Sequence, residues 1–137
     1  LTAAETGHLV LSTLHTIRAD QTVDRIIDSF PVNQQAQIRI QLAQVLEGII
    51  AQQLLPLASG KGRVAAMEIL LATGAVRNLI REGKSYQILT AIQTGTKVGM
   101  QTMDASLRGL VREGCITSAT AREHAMDPDI PEHYLPG

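Results

Sequence analysis

Apolar residues in the first half of the chain alternate between the spacing of strands and that of helices. Residues 8–15 form a short, largely apolar run after Gly7, which is typical of a strand buried on both faces, as in a parallel sheet. Later apolar residues recur every three or four positions, as in helices that pack one face on a core. The predicted elements are a strand at 8–15, helices at 20–30 and 33–49, and a hairpin of strands at 52–57 and 63–71. This order gives residues 1–73 an α/β character.

From residue 74 onwards the pattern changes to short helices separated by glycine. The predicted helices are 73–83, 85–95, 102–114 and 118–126. Three glycines lie just past predicted helix ends, where a left-handed residue costs least, namely Gly83, Gly95 and Gly114. Residues 127–137 contain three prolines and are predicted to be a loose tail. The chain thus divides into two regions, 1–73 and 74–137.

The composition excludes several classes of function. The 137 residues carry 12 basic and 13 acidic side chains, so neither a basic DNA-binding surface nor an acidic tail is expected. Phe30, Tyr86 and Tyr134 are the only aromatic residues, too few to stack the bases of single-stranded nucleic acid. The single cysteine, Cys115, excludes a disulfide framework and a multi-cysteine zinc site. No apolar run reaches the roughly 18 residues that a membrane helix needs, and a cytosolic protein is expected.

One segment suggests phosphate binding. Gly83-Lys84-Ser85 matches the end of a P-loop, whose first glycine would stand where the chain has Asn78. A P-loop also follows a strand and begins a helix, because its amides and the helix N-terminus hold the phosphate together. Here Gly83 closes one predicted helix and Ser85 begins the next. The sequence therefore contains no phosphate cradle.

Two histidines, His8 and His15, bound the predicted strand. A separation of seven residues along a strand places them on opposite faces, and no third ligand accompanies them, which argues against a metal site. The carboxyl end of the strand, where His15 stands, is the edge at which parallel α/β sheets bind ligands. Two interpretations stay open: a functional role for His15, or structural roles in which His8 hydrogen-bonds within the sheet.

Charged residues in two later elements are further candidates. Glu68 is a single carboxylate within an apolar strand, and the favoured interpretation is an ion pair with an arginine. Arg77 and Arg81 lie four residues apart on one predicted helix and so share a face. That face is either solvated or a docking surface for carboxylates of a neighbouring domain or subunit.

Three separated motifs resemble one known family. Residues 2–16, TAAETGHLVLSTLHT, resemble the His box of the type II/IV secretion ATPases. Residues 75–82, AVRNLIRE, resemble the AIRNLIRE motif of the pilus retraction branch, with valine for the first isoleucine. Residues 92–95 and 99–104 are similar to the same branch, and the resemblance extends over almost the whole chain, to about residue 127.

The resemblance implies a RecA-like motor ATPase. Members are cytoplasmic homo-hexamers, associated with the inner membrane through pilus assembly proteins, that use ATP and Mg²⁺ to retract type IV pili and power twitching motility. By this resemblance, residues 1–73 are the C-terminal half of a RecA-like ATPase core and residues 74–137 a small α-helical region. In the family the Walker A loop, Asp box and Walker B segment precede the His box. The chain is therefore expected to begin in mid-fold and, alone, to be inactive towards ATP.

The resemblance also implies roles for single residues. His8 and His15 match the His-box histidines, which sense the state of the γ-phosphate. The residues that match the C-terminal motif, implied to couple hydrolysis to retraction, are Arg77, Asn78, Leu79, Ile80, Arg81 and Glu82. Within the chain we expect no Walker A residue that binds nucleotide, no metal ligand and no transmembrane segment. We also expect no nucleic-acid partner. The alternative to a motor is a helical protein-interaction module without enzymatic activity.

Overall fold

A computed structural model describes residues 1–127, in which helices surround one antiparallel hairpin. The helices are α1 (Thr2–Glu5), α2 (Ala19–Asp28), α3 (Gln35–Val45), α4 (Gly74–Arg81), α5 (Ile88–Thr94), α6 (Met103–Arg112) and α7 (Ser118–His124). The strands are β1 (Gly48–Pro56) and β2 (Arg63–Leu71). Single turns of 3-10 helix stand at Val32–Gln34, Ser85–Gln87 and Thr96–Val98. The tail expected at 127–137 lies, from residue 128 on, outside the described residues.

The hairpin has one buried face and one exposed face. Its strands pair in register from Gly48 opposite Leu71 to Pro56 opposite Arg63. Because successive side chains of a strand point to opposite faces, every second residue turns towards the helices. The buried residues are Ile49, Ala51 and Leu55 of β1 and Ala66, Glu68 and Leu70 of β2. Glu68 is therefore a carboxylate on an otherwise apolar buried face.

Two apolar clusters form the core, one at each end of the hairpin. The first joins α2, α3, α4 and α5 to the β1 start and β2 end, through Ile49 and Leu70. The second joins α6 and α7 to the opposite end of the hairpin, through Leu55 and Ala66. The first cluster takes residues from both sides of position 73, and the division of the chain there stays a prediction.

The predicted strand at 8–15 is wrong. These residues are irregular, and their side chains are exposed. A strand must pair its backbone N–H and C=O groups with a neighbour, and no strand within residues 1–127 pairs with this segment. The outer edge of β2 is occupied by Gln101, whose N–H and C=O bond to Ile69 at 3.1 and 2.8 Å. The apolar pattern is thus present without a partner strand.

Two local predictions also need correction. The helix expected at 33–49 ends at Val45, and β1 begins at Gly48, where a side-chain Cβ would lie only 3.0 Å from the carbonyl oxygen of Leu70. Gly95 is not left-handed, since its φ is −97°. Its lack of a side chain serves packing instead, because a Cβ there would lie 2.6 Å from the Met100 methyl carbon.

The four helices predicted between residues 73 and 126 are confirmed as α4, α5, α6 and α7. Threonine side chains accept backbone N–H bonds at the starts of α4, α6 and α7, namely Thr73, Thr102 and Thr117. Gly83 and Gly114 follow α4 and α6 with φ of 71° and 75°, as glycine at a helix end allows. Local signals were sufficient here because each helix satisfies its own backbone.

Candidate functional site

The histidine segment, residues 8–18, lies beside the packed helices, and its residues 8–15 are exposed. Nδ1 of His8 lies 3.2 Å from both Thr6 Oγ1 and the Ala3 carbonyl oxygen, at the end of α1. The interpretation in which His8 hydrogen-bonds within a sheet is therefore wrong. The imidazole of His15 is exposed and makes no hydrogen bond with any side chain or backbone group of residues 1–127. His15 is thus available to a group from elsewhere.

The histidine segment is anchored at its C-terminal end, where α2 begins. The hydroxyl oxygens of Thr16 and Thr22 lie 2.6 Å apart. The Arg18 guanidinium contacts the Asp20 carboxylate at 2.7 Å and 3.0 Å. These contacts fix the entry into α2, and His15 lies one residue before the first of them.

A buried carboxylate completes this anchor from the hairpin. Glu68 is 2% exposed, and its Oε1 accepts the N–H of Ala19 at 2.9 Å. Its Oε2 accepts the N–H of Met103 at 3.3 Å. The expected arginine partner is wrong, because two backbone amides at helix starts hold the charge instead. Sequence reasoning found the residue but not its partners, which stand 49 and 35 positions away.

Residues 75–81 of the motif 75–82 lie in α4, Glu82 follows the helix as its C-cap, and the two arginines of the motif have different surroundings. Nη1 of Arg77 donates to the carbonyl oxygens of Ala43 and Gln44 at 2.7 and 3.0 Å. These carbonyls belong to the last turn of α3, which has no helical partners for them. A cation there also interacts favourably with the helix dipole. Arg77 therefore joins α4 to the end of α3.

Arg81 is instead an exposed cation. Its guanidinium donates to Asn78 Oδ1 at 2.5 Å, within the same helix. It borders a shallow groove between α3 and α4, which it shares with Arg39. Within the motif, Val76 and Ile80 are fully buried in the first cluster. The polar side chains that α4 exposes include Asn78 and Arg81.

Glu82 and Lys84 form an exposed pair after α4. Lys84 Nζ lies 3.1 Å from Glu82 Oε2. The hydrogen bond to Glu82 and the charge of that carboxylate raise the pKa of Lys84 above its usual value. Gly83 between them ends α4 with a positive φ. Gly83-Lys84-Ser85 thus joins two helical turns and is not preceded by a strand.

An apolar groove separates the histidine segment from the hairpin. Its volume is about 1110 Å³. Leu9 and Leu11 are 84% and 88% exposed along it, and Ile50 projects from the outer face of β1. The lining includes Leu9, Leu11, Ile26, Phe30, Leu46 and Ile50. Exposed apolar side chains of this number are typical of a surface that another element covers.

The chain matches a known family over its N-terminal part. The model of the family "Type II/IV secretion system protein" matches residues 1–61. The "Type IV pilus retractation ATPase PilT" of Pseudomonas aeruginosa is 52% identical over 134 residues, which is 98% of this chain and 38% of that protein. The chain belongs to the type II/IV secretion ATPase family.

Further relatives support this family membership. The "Twitching motility protein" of Neisseria gonorrhoeae is 54% identical over 129 residues, or 94% of this chain and 34% of that protein. The crystal structure of "the Pilus Retraction Motor PilT and Bound ADP" superposes with a TM-score of 0.82 at 48% identity. That superposition covers 96% of this chain and 36% of the other.

The family comparison assigns the fold. The mixed α/β structure corresponds to the C-terminal part of the RecA-like core of the secretion ATPase. The chain spans just over a third of the length of the relatives it matches. The roles of His8, His15 and residues 77–82 stay predictions.

The part of the chain that the structure describes lacks two further kinds of site. Within residues 1–127 no helix has both the length and the apolar character needed to cross a membrane. In the same range no three His, Cys, Asp or Glu side chains are grouped as metal ligands would be. Among the polar contacts that the structure does form are those of Glu68 with two backbone amides and those of Arg77 with the end of α3.

Proposed function

We propose that this chain is the C-terminal part of a hexameric ATPase subunit that powers type IV pilus retraction. The observation that carries the proposal is 52% identity to PilT across 98% of the chain. In such a subunit the protein would act at the cytoplasmic face of the inner membrane, through pilus assembly proteins. The Walker A loop, Asp box and Walker B segment would lie outside these 137 residues.

The residues present fit ATP only in part. Phosphoryl transfer requires a phosphate cradle, Mg²⁺ and a positioned water. Within residues 1–127 the exposed imidazole of His15 is one donor for a phosphate oxygen, and no glycine-rich loop joins a strand to a helix there. Bound Mg-ATP supplies the reacting phosphoryl group, and this chain supplies the sensor and its anchor. The chain alone is therefore expected neither to bind nor to hydrolyse ATP.

His15 is the proposed sensor. A neutral imidazole donates one N–H, so it can bind a phosphate oxygen that lies within hydrogen-bond distance. Its position just before the Thr16–Thr22 contact places it next to a fixed point of the fold. A change at the phosphate would be transmitted through that anchor into α2.

The decisive experiment is ATP hydrolysis by the complete protein with His15→Ala. We expect turnover to fall while the hexamer, checked by light scattering, remains assembled. His124→Ala is the matched control, because His124 lies on α7 and bonds only to the Thr120 carbonyl within its own helix. Unchanged turnover in His15→Ala would show that the sensor role is wrong.

Calorimetry tests the second part of the proposal. Titrating Mg-ATP into the 137-residue chain should give no heat of binding at micromolar concentrations. Micromolar binding would place a nucleotide site within the chain and contradict the proposed division of the protein.

The second candidate is a helical interaction module. The exposed Arg81, beside Arg39 at the groove between α3 and α4, favours a protein-binding role for this surface. Arg81→Glu in the complete protein should abolish pilus retraction and leave hydrolysis unchanged if the surface couples the motor. Arg112→Glu, an exposed arginine at the end of α6, is the control. The interaction module alone would be favoured if the wild type has no ATPase activity and Arg81→Glu loses binding to a partner protein.

A further inference from the structure

Glu68 connects two helices that belong to different apolar clusters. Ala19, whose N–H it accepts, begins α2 and lies in the first cluster. Met103, whose N–H it also accepts, begins α6 and lies in the second. A single carboxylate from β2 therefore holds the starts of both helices to the hairpin.

The start of α2 depends on this remote carboxylate. Its N-cap residue, Arg18, has an extended conformation, and its side chain makes no capping hydrogen bond. The first amides of a helix have no intrahelical acceptor, so the Ala19 N–H requires an outside partner. At α6 the Thr102 hydroxyl accepts the Ala105 N–H, and Glu68 accepts the Met103 N–H.

Burial makes the two contacts interdependent. A carboxylate that is 2% exposed cannot replace a lost protein donor with bulk water, so loss of either amide leaves the charge underpaired. Glu68 would therefore resist a displacement of α6 relative to β2. If α6 did move, the Glu68 carboxylate would rotate or would move Ala19 together with it. Ala19 stands four residues after His15.

We propose that Glu68 is a positioning residue that ties the entry of the histidine segment into α2 to the start of α6. Through it, the placement of His15 depends on where α6 lies against the hairpin. The inference rests on the proposed function only where it concerns turnover. The mechanical tie itself is a property of the fold and is testable without nucleotide.

Hydrogen exchange tests the tie directly in the complete protein. Glu68→Gln keeps the size of the side chain but removes one acceptor oxygen and the charge. We expect the amides of both Ala19 and Met103 to exchange about tenfold faster or more. Glu113→Gln is the control, since it makes the same chemical change on an exposed residue that follows the other end of α6. Exchange at Ala19 and Met103 that is no faster than in the wild type would overturn the proposal.

A double-mutant cycle tests whether Glu68 acts through His15. We expect Glu68→Gln to lower kcat with little change in KM, because it misplaces the sensor without touching the nucleotide. Glu68→Gln combined with His15→Ala should lose no more turnover than His15→Ala alone. Fully additive losses would contradict positioning through His15.

The tie can still be tested if Glu68→Gln does not fold or if the proposed function is wrong. If Glu68→Gln does not fold, the wild type decides, because amides held by one carboxylate should share one exchange profile against denaturant. Distinct profiles for Ala19 and Met103 would overturn the tie. Absence of ATP hydrolysis in the wild type would refute the proposed function. The hydrogen-exchange result would still test the tie independently.

Discussion

The histidine segment and α4 differ in burial although both carry the apolar residues of a packed element. Leu9 and Leu11 are 84% and 88% exposed, whereas Val76 and Ile80 of α4 are fully buried. A helix satisfies its own backbone and needs only an apolar surface to pack on, while a strand needs a paired neighbour. Within residues 1–127, the same apolar content is therefore buried only where the element that it needs for packing or pairing is present.

Removing apolar side chains from the two regions should give the largest contrast. Ile80→Ala leaves a cavity in the first cluster and should lower the free energy of unfolding by about 3 kcal/mol. Leu11→Ala removes an exposed side chain and should change it by less than about 0.5 kcal/mol. Urea denaturation of the chain measures both. A large loss for Leu11→Ala would mean that the histidine segment is packed.

The two arginines of α4 should differ by a smaller margin. Arg77→Ala leaves the Ala43 and Gln44 carbonyls without their donor and should cost about 1–3 kcal/mol. Arg81→Ala removes an exposed cation and should cost less than about 0.5 kcal/mol. Both values come from the same urea titrations. Equal costs would contradict the assignment of Arg77 as the cap of α3.

Loss of a helix cap should have a still smaller effect. Thr73 Oγ1 accepts the N–H of Val76 at the start of α4, and Thr73→Ala should cost about 1 kcal/mol. Thr13→Ala, in the exposed histidine segment, is the matched control and should be close to neutral. A thermal midpoint shift for Thr73→Ala no larger than that for Thr13→Ala would argue against the cap.

The smallest expected effect concerns the ion pair after α4. The hydrogen bond to Glu82 and the charge of Glu82 raise the pKa of Lys84. The pair therefore contributes fully to folding stability at a pH below the unfolded-state pKa of lysine. This contribution is lost as the pH rises through the raised pKa of the folded state. An NMR titration of Lys84 should give a pKa above that of an ordinary lysine. Glu82→Gln should return it towards the ordinary value, and so should high salt. An unchanged pKa in Glu82→Gln would contradict this cause.

The sequence predicted what depends on local signals. The helices of the second half follow from threonine caps and terminal glycines, and the hairpin follows from its turn. The partners of Glu68 and of Arg77 could not be predicted, because they are backbone groups at least 33 residues away. The strand at 8–15 was predicted wrongly because an apolar pattern does not say whether a neighbouring strand is present. The motifs identified the family, since they stand in family order between residues 2 and 104.

The most direct test of the proposed function compares hydrogen exchange in the complete protein with ADP and with a non-hydrolysable ATP analogue, each with Mg²⁺. We expect amides 9–17 of the histidine segment to exchange more slowly with the ATP analogue, since His15 then faces a γ-phosphate. Amides 77–80 of α4, already held within the first cluster, should exchange at the same rate in both states. Identical exchange of residues 9–17 with the two nucleotides would contradict the account.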